Sequence, residues 1–207
     1  PEARVVGVDS SAEMIAAAHP RATLSATCRL DFEVGDVRTW SSGEPIDVLV
    51  SNATLQWVPG HLDLLSRLVG QVRPGGWFAF QVPGNFGAPS HVILHELAAQ
   101  APYDEHTAGV AFPDASGPET YLATLAELGC VVDAWETTYL HLLRGEDPVF
   151  TWVSGTGARP TLQALPIGLR EDFVAEFKAR LRAAYPARPY GTVLPFRRVF
   201  VVAQVAR

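Results

Sequence analysis

Apolar and polar residues along the chain follow two alternating periods. Short apolar runs predict strands, and stretches with apolar residues three or four positions apart predict helices. The first run is apolar and ends in Asp9, which indicates a buried strand of the parallel type. The last run is apolar on both faces, as is typical of a central strand. The predicted strands cover residues 4–9, 31–36, 47–52, 77–82, 131–143 and 199–205.

Helices are predicted between these strands from their spacing and from their end signals. Ser10 or Ser11 provides an N-cap for the helix after the first strand. From His61 an apolar stripe continues along one face, and we expect Pro74-Gly75-Gly76 to stop this helix. Further helices are predicted over residues 91–100, from Pro118 to just before Gly129, and over residues 169–185.

The alternation of strands and helices predicts an α/β fold with a doubly wound, Rossmann-like sheet. We expect residues 1–207 to form one domain. The last two strands are separated by residues 146–195, which contain one of the predicted helices. We expect this segment to be a helical insert that covers the substrate. Ligands of such sheets bind beyond the carboxyl ends of the strands, so the residues that follow the strands are the candidates for a site.

Composition limits the classes of function. The chain has 48% apolar and 18% charged residues, which is typical of a folded globular protein. A net charge of -6 disfavours nucleic acid as a partner, because its phosphates require a basic surface. No apolar run approaches the roughly 18 residues that cross a bilayer, so we expect no membrane partner. The two distant cysteines and the lack of a recognisable leader predict a cytoplasmic protein without a metal site.

Polar residues directly follow three of the predicted strands. The carboxylate of Asp9 can accept hydrogen bonds from both hydroxyls of a ribose, because it has two oxygens. This acid is ambiguous by itself, since nicotinamide-binding folds have an acid at the same point and an Asp there also caps helices. Asp36 could accept from an adenine amino group while Val37 covers the ring, although an acid there is also an ordinary turn residue. Small residues at Ser51-Asn52 let the backbone approach a ligand.

Four motifs in order resemble the class I S-adenosylmethionine-dependent methyltransferases: D-S-S-x-E-M-I from Asp9, G-D-V, S-N-A-x-L-Q-W-V from Ser51, and R-P-G-G. The resemblance implies S-adenosylmethionine as cofactor and S-adenosylhomocysteine as product. It also implies that Asp9 binds the ribose and that the methionine moiety or methyl group lies near Ser51 and Asn52. The residues implied to contact the adenine are Ser10, Met14, Asp36 and Val37. The family's amino-terminal strand and glycine-rich loop should precede the first strand, and we expect both to be absent from residues 1–207.

Longer motifs, spread over nearly the whole chain, resemble the trans-aconitate 2-methyltransferases. They include Q-V-P-G-N-F-x-x-P-S-H, W-E-T-T-Y-L-H, W-V-S-G-T-G-x-R-P and G-T-V-L-P-F-R-R-V-F. The resemblance implies that a small tricarboxylate is the substrate and that the product is the monomethyl ester of trans-aconitate. The residues expected at the substrate are Trp57, Asn85, His91, Tyr139, His141, Trp152, Arg159 and Arg198.

Several of these residues also have a purely structural interpretation. Arg159 follows G-T-G in the insert, where an arginine fork suits a carboxylate, but it is also a surface residue type in an arginine-rich chain. Tyr139 and His141 share strand parity with Trp135, so the three side chains face either a ligand or the underside of the insert. The structural alternatives for His91, Asn85 and Arg198 are a helix cap, a turn and a surface ion pair.

The expected reaction needs no catalytic base. A carboxylic acid with a pKa of about 4 is already ionised at pH 7, so the nucleophile arrives deprotonated. The protein has to hold a carboxylate oxygen in line with the sulfonium methyl and to exclude water, and we expect no residue with an acid–base role. Two alternatives remain open: a methyltransferase for another small-molecule or carrier-bound carboxylate, and a catalytically silent cofactor-binding module.

Overall fold

The protein is described by a computed structural model that covers residues 3–21, 24–25 and 28–207. The chain divides into two compact units, of which the first ends at Ile46 and the second begins at Asp47. Both units contain strands and helices, so the predicted α/β class is confirmed. Within the described residues, no helix is both long enough and apolar enough to cross a membrane. The single domain over residues 1–207 stays a prediction.

The first unit contains a three-stranded sheet. Its elements are β1 (Ala3–Asp9), α1 (Ala12–Ala18), β2 (Leu24–Ser25) and β3 (Cys28–Val34), with the strands in the order β1-β3-β2. β1 and β3 are parallel, and Asp9 pairs with Val34, so both strands end at one edge of the sheet. The prediction that the first strand is buried is wrong. Among the strands that the structure describes, β1 pairs with β3 alone, and Val5 is 47% exposed.

Local hydrogen bonds determine where these elements begin and end. Ser11, and not Ser10, is the N-cap of α1, because its hydroxyl accepts a hydrogen bond of 3.2 Å from the backbone N–H of Met14. β3 ends at Val34, earlier than the predicted strand end at residue 36. The chain turns instead at Asp36, whose carbonyl accepts hydrogen bonds from the backbone of Thr39 and Trp40 at 2.9 and 2.7 Å.

The second unit contains a four-stranded sheet in the order β4-β5-β7-β6. The strands are β4 (Ile46–Asn52), β5 (Val72–Pro83), β6 (Cys130–Leu143) and β7 (Thr192–Val205). β7 is antiparallel to both β5 and β6, which confirms the prediction that the last strand is central. It begins at Thr192 instead of residue 199, so the helical segment before it is shorter than residues 146–195.

One predicted helix end is wrong. The helices of the second unit are α2 (His61–Val69), α3 (Pro89–Ala98), α4 (Asp104–Thr107), α5 (Pro118–Glu127), α6 (Pro148–Ser154), α7 (Arg159–Ala164) and α8 (Ile167–Ala184). α2 already ends at Val69, and Pro74-Gly75-Gly76 lies inside β5. A Cβ on Gly76 would lie 2.8 Å from the carbonyl oxygen of Asp47, so the glycine permits β5 to pack closely on β4 and is not a helix stop.

The two faces of the second sheet differ in burial. On one face, Phe78, Phe80 and Val82 of β5 are buried, as are the residues opposite them on β7. α5 packs against β6 and β7, and its buried Tyr121 meets the ring of Phe80 edge-on at 5.1 Å. This face is therefore the hydrophobic core of the sheet.

The opposite face carries aromatic and polar side chains. Gln81 lies opposite Phe200, and Phe200 lies opposite Trp135. The rings of Phe200 and Trp135 stack with their centroids 5.4 Å apart. By the same register, this face also carries Pro83, Phe196, Arg198, Tyr139 and His141. The prediction that Trp135, Tyr139 and His141 face one side is confirmed.

The segment between β6 and β7 folds into α6, α7 and α8, which we call the cover helices (residues 148–184). Phe173, Phe177 and Leu181 of α8 are buried at a spacing of four residues. They share a hydrophobic core with Leu94 and Leu97 of α3. Burying each of these side chains contributes about 1.5–3 kcal/mol. The cover helices and α3 therefore hold one another in place without support from a ligand.

A buried carboxylate joins the start of α6 to α8. Asp147 precedes α6 with a φ of 47°, and its side chain is 4% exposed. It accepts hydrogen bonds from Nε and Nη2 of Arg182 at 2.5 and 2.7 Å, and Nζ of Lys178 lies 3.3 Å away. The hydrogen bonds from Arg182 lower the pKa of Asp147 against the effect of burial, and Lys178 lowers it further. This ion pair fixes the first turn of α6.

We expect Asp147→Asn to lower the free energy of unfolding at pH 7 by about 1–3 kcal/mol, because Arg182 and Lys178 lose a charged acceptor. Since the pKa of Asp147 is lowered on folding, the advantage of the wild type is complete above a pH of about 4 and disappears as the pH falls through the lowered pKa. Urea unfolding of both proteins between pH 7 and pH 2 measures this difference in the free energy of unfolding. Asp172→Asn, an exposed position on α8, is the control. A wild-type advantage that does not change with pH would contradict this role.

Candidate functional site

The second unit contains a cavity of about 540 Å³, a size typical of small-molecule sites. The end of β5 and the residues that follow β4 and β5 form part of its wall, together with residues of β7, α3, α6 and α7, the connection between α6 and α7, and Pro113. The structure brings six of the eight residues predicted for the substrate to this one cavity: Trp57, Asn85, His91, Trp152, Arg159 and Arg198. Residues far apart in sequence therefore converge on one cavity, and their contact with a substrate stays a prediction.

Arg198 lies on β7 in a fixed orientation. Its Nη1 donates a hydrogen bond of 2.6 Å to Oε1 of Gln81. Its guanidinium carbon also lies 4.9 Å from the centroid of the Phe196 ring, within the range of a cation–π contact. The sequence left open a surface ion pair for this arginine. The structure instead gives it a neutral amide and an aromatic ring as neighbours.

Arg159 is the first residue of α7 and lines the same cavity. Its side chain is exposed and makes no ion pair or side-chain hydrogen bond with any described residue. An arginine at a helix N-terminus is unfavourable for the helix dipole, which prefers an anion there. The position therefore does not stabilise α7, and its guanidinium is available to a ligand.

The wall of the cavity is positively charged. Arg159 and Arg198 both line it, and no Asp or Glu does so in the part of the chain that the structure describes. Arginine stays protonated at any physiological pH. A carboxylate that leaves water loses much of its hydration and needs a cation or donors in exchange. The cavity therefore suits a small anion with more than one carboxylate.

His91 contributes a neutral group to the wall. It is 8% exposed, and burial lowers its pKa to about 4, with a further small effect of His95. Its ring meets Phe86 edge-on at 5.4 Å, and its Nδ1 lies 3.3 Å from Oγ of Ser90. The N-cap of α3 is Ala88, so the helix-cap interpretation of His91 is wrong. At pH 7 this imidazole offers hydrogen bonds without a charge.

The glycines of the G-T-G motif have a different role from the tight bend that the motif suggests. Gly155 has a φ of −80°, and Gly157 is not among the residues with positive φ, so neither needs the freedom of glycine to turn. A Cβ on Gly157 would instead lie 3.1 Å from Nε2 of His91. The absence of a side chain lets the connection between α6 and α7 approach His91.

Tyr139 and His141 do not line the cavity. The ring of His141 lies 4.7 Å from that of Trp152 and 5.9 Å from that of Phe196, and both of these residues line it. Tyr139 stacks on His141 with centroids 6.2 Å apart. These contacts favour the packing interpretation. His141 packs on Trp152 and Phe196, the aromatic residues of the cavity wall, and Tyr139 packs on His141.

Sequence reasoning missed Gln56 as a site residue. It lines the cavity and is 6% exposed. Its Nε2 donates a hydrogen bond of 2.7 Å to the carbonyl of Ala53, which fixes the amide so that Oε1 is an acceptor. This Oε1 and Oδ1 of Asn85 are buried and have no hydrogen-bond partner among the described residues. Two unsatisfied acceptors in one wall indicate a place for a ligand or for water.

The end of β4 has the backbone shape of a functional turn. Ala53 has a φ of 53°, which is rare for a residue other than glycine. Its N–H donates a hydrogen bond of 2.9 Å to the carbonyl of Gln81, which secures the turn. Oγ of Ser51 is buried without a partner among the described residues, and Asn52 is exposed beside it. The two residues predicted to lie near the methyl donor thus precede a strained turn at the cavity.

In the first unit, Asp9 and Asp36 come together because β1 and β3 end at the same edge. The N–H of Gly35 donates a hydrogen bond of 2.9 Å to the carbonyl of Asp9. One oxygen of Asp9 accepts from the N–H of Ser11 at 2.7 Å, and the other has no hydrogen bond to any residue that the structure describes. The carboxylate of Asp36 already accepts from Arg38, an exposed pair that contributes little to stability. Met14, also predicted here, is 60% exposed on α1.

Comparison with known proteins identifies the family. Residues 1–76 match the family model of a methyltransferase domain. The chain is 53% identical to a trans-aconitate 2-methyltransferase of Streptomyces avermitilis over 206 residues, which cover 98% of this chain and 77% of the relative. It is 52% identical to that of Streptomyces coelicolor over 209 aligned residues, with 99% and 69% covered. The chain belongs to the trans-aconitate 2-methyltransferase family.

Solved structures agree with this family at the level of the fold. A methyltransferase of Bacillus halodurans has a TM-score of 0.56 at 10% identity, with 99% of this chain and 84% of that chain covered. The phosphoethanolamine N-methyltransferase 2 of Haemonchus contortus, solved in complex with S-adenosyl-L-methionine, has a TM-score of 0.52 at 16% identity, with 98% and 43% covered. The predicted Rossmann-like methyltransferase fold is confirmed, whereas the roles of individual residues stay predictions.

The lowered pKa of His91 gives a testable pH dependence for this member of the trans-aconitate 2-methyltransferase family. Above pH 6.5 the ring is neutral in the folded and unfolded chain. Between pH 6.5 and about 4 the unfolded chain takes up the proton and the folded one does not, so stability falls as the pH falls. We expect the free energy of unfolding of His91→Asn to fall less than that of the wild type over this pH range, by up to about 3 kcal/mol.

Urea unfolding at pH 7.5, 5.5 and 4.5 measures the difference between the wild type and His91→Asn. The buried His61 contributes equally to both proteins and cancels. The half-buried His95 interacts with His91, so its contribution to the difference is measured separately with His95→Asn. His106→Asn, at an exposed position, should leave the pH dependence unchanged. If His91→Asn behaves like this control, His91 is not held neutral by the fold.

Proposed function

We propose that this protein transfers the methyl group of S-adenosylmethionine to a carboxylate of trans-aconitate, giving the monomethyl ester and S-adenosylhomocysteine. The observation that carries the proposal is the charge of the cavity, which has two arginines in its wall and no acid among the described lining residues. A trivalent anion needs such a wall when it leaves water. Relatives at 52–53% identity are trans-aconitate 2-methyltransferases, which supports the same substrate.

The chemistry requires positioning more than proton transfer. S-adenosylmethionine, when bound, supplies an electrophilic methyl group on a positively charged sulfur. The substrate carboxylates are ionised at pH 7, so no residue has to remove a proton. His91, neutral and buried, can orient an oxygen through a hydrogen bond without acting as a base. Alignment of the reacting oxygen with the methyl carbon can provide several kcal/mol of the rate enhancement, about 7–11 in the best cases.

The arginines and the aromatic wall divide this task. Arg198 is fixed by Gln81 and Phe196, so it suits a carboxylate whose position must be defined. Arg159 is exposed and unconstrained, so it suits a carboxylate that arrives from solvent. Trp57 and Trp152 line the same cavity and reduce the contact of the bound acid with water. A less hydrated carboxylate oxygen is a better nucleophile.

The residues predicted for the cofactor have the chemistry that it requires. Asp9 has a carboxylate oxygen without a hydrogen bond to any described residue, which suits a ribose hydroxyl, and Met14 presents an exposed apolar surface for the adenine. Asp36 and Val37 follow the neighbouring parallel strand. In the second unit, the buried Oγ of Ser51 lacks a partner among the described residues. We propose that these residues, with Ser10 and Asn52, contact S-adenosylmethionine.

Two other functions remain as competitors. A carrier-bound carboxylate would bring an acidic protein to the site, and a net charge of -6 disfavours that encounter. A silent cofactor-binding module would not need two arginines beside a cavity that is lined by no acid among the described residues. A cytoplasmic location is also part of the proposal, because two cysteines without metal-ligand or disulfide spacing suit a reducing compartment.

An assay with methyl-labelled S-adenosylmethionine and a panel of small acids tests the proposed function. The panel contains trans-aconitate, cis-aconitate, isocitrate and matched dicarboxylates. We expect label in a base-labile ester of the acid, with trans-aconitate converted best, as measured by mass spectrometry. Binding of S-adenosylmethionine without methylation of any acid would contradict the proposal and favour the silent module.

We expect Arg159→Lys to raise the KM for trans-aconitate by about tenfold or more and to leave the affinity for S-adenosylmethionine unchanged. Lysine keeps the charge, but it cannot bind a carboxylate through two parallel N–H groups. The assay compares trans-aconitate with an analogue that lacks the distal carboxylate. The KM of the mutant should rise strongly for trans-aconitate and much less for the analogue.

Arg144→Lys serves as the control, because Arg144 is also exposed but does not line the cavity. It should leave both KM values unchanged. An equal rise in the KM of Arg159→Lys for both acids would mean that Arg159 does not bind the distal carboxylate.

A further inference from the structure

Gln81 is the one polar residue in the apolar run from Trp77 to Pro83, which forms the second half of β5. It lies on β5 between Phe80 and Val82 and is 7% exposed. It does not line the cavity, and the sequence motifs assign it no role in the site. Burying an amide is unfavourable unless its hydrogen bonds are satisfied, and Nε2 of Gln81 is buried without a partner among the described residues, so this position needs an explanation beyond stability.

The register of the sheet brings Gln81 to Arg198. Gln81 lies opposite Phe200, and Arg198 is two residues further along β7 on the same face. The two side chains are diagonal neighbours, a distance that long side chains span. The hydrogen bond of 2.6 Å from Nη1 of Arg198 to Oε1 of Gln81 follows from this placement. Because arginine only donates, this bond also fixes which end of the amide faces it.

Arg197, next to Arg198 on β7, illustrates the effect of a carboxylate partner on an arginine. Its Nη1 lies 2.6 Å from Oε2 of Glu136. In the cover helices, Arg182 is likewise paired with the carboxylate of Asp147. Such a carboxylate orients the guanidinium but also compensates its charge. Glutamine, which has nearly the same shape as glutamate, orients Arg198 and leaves its charge uncompensated.

We infer that Gln81 is a positioning residue that makes Arg198 selective for a carboxylate of the substrate. This inference rests on the proposed function, since it assumes that the ligand of the cavity is a small polycarboxylate. Gln81 acts through Arg198 and does not touch the substrate. Its neutral amide is the essential property: an acid in its place would hold Arg198 equally well and would repel the incoming carboxylate.

Comparison of Gln81→Glu with Gln81→Met tests the inference. Gln81→Glu keeps the hydrogen bond to Arg198 and adds a negative charge, and we expect it to weaken trans-aconitate binding by about tenfold or more. Gln81→Met removes the hydrogen bond but adds no charge, and we expect a smaller loss of about threefold. Calorimetric titration of trans-aconitate in the presence of S-adenosylhomocysteine gives the affinities, and the KM and kcat of methyl transfer are measured in parallel.

Gln204→Glu is the matched control. Gln204 lies on the same face of β7, six residues from Arg198, which is about 20 Å along a strand. The control introduces the same charge on the same sheet and should leave trans-aconitate affinity unchanged. The affinity for S-adenosylhomocysteine and the melting temperature should also stay close to those of the wild type in all three variants. A purely structural role of Gln81 would instead lower the melting temperature and affect both ligands together.

The outcomes separate the inference from the proposed function. If the wild-type protein binds no polycarboxylate, the proposed function fails. If the wild type binds trans-aconitate and Gln81→Glu binds it equally well, the inference fails while the proposed function stands. A loss in Gln81→Met as large as that in Gln81→Glu would also overturn the inference, because the charge at this position would then have no effect. Should Gln81→Glu not fold, unchanged affinity of Gln81→Met would contradict the inference by itself.

Discussion

Arg159 and Arg198 line one cavity in which no carboxylate of the described residues compensates them, and the rest of the site depends on this positive charge. Arginine cannot lose its proton in a protein, so the charge has to be balanced by a ligand or by water. A small acid with several carboxylates provides that balance and brings the nucleophile already ionised. The cavity therefore does not need a base, which fits a neutral His91 and the neutral amides of Gln56 and Asn85 in its wall.

The cover helices make this arrangement possible because they fold on their own hydrophobic core with α3. Phe173 and Phe177 anchor α8 in that core, and the buried Asp147 fixes the start of α6 to α8. Trp152 and Arg159 then reach the cavity from elements whose positions do not depend on the ligand. Packing elsewhere in the second unit thus offsets the unfavourable energy of holding two like charges in one wall.

The sequence predicted the alternation of strands and helices, and six of the eight residues that it indicated for the substrate line one cavity. It could not predict that Pro74-Gly75-Gly76 continues a strand, because the close approach of Gly76 to Asp47 is a tertiary contact. It also could not separate Arg198 from a surface ion pair, since the choice depends on the strand register that brings Gln81 beside it. Tyr139 and His141 have the right parity, but Trp152 and Phe196, which contact the ring of His141, line the cavity in their place. The spacing of apolar residues and the sequence motifs indicate local structure. Strand register and helix packing determine which side chains reach the cavity.

The most direct test of the account is a crystal structure of the protein with S-adenosylhomocysteine and trans-aconitate bound together. We predict that the acid lies in the cavity, with carboxylate oxygens about 3 Å from guanidinium nitrogens of both Arg159 and Arg198. One carboxylate oxygen should point toward the sulfur of the cofactor product. An acid bound outside this cavity, or bound in it with either arginine turned away, would contradict the account.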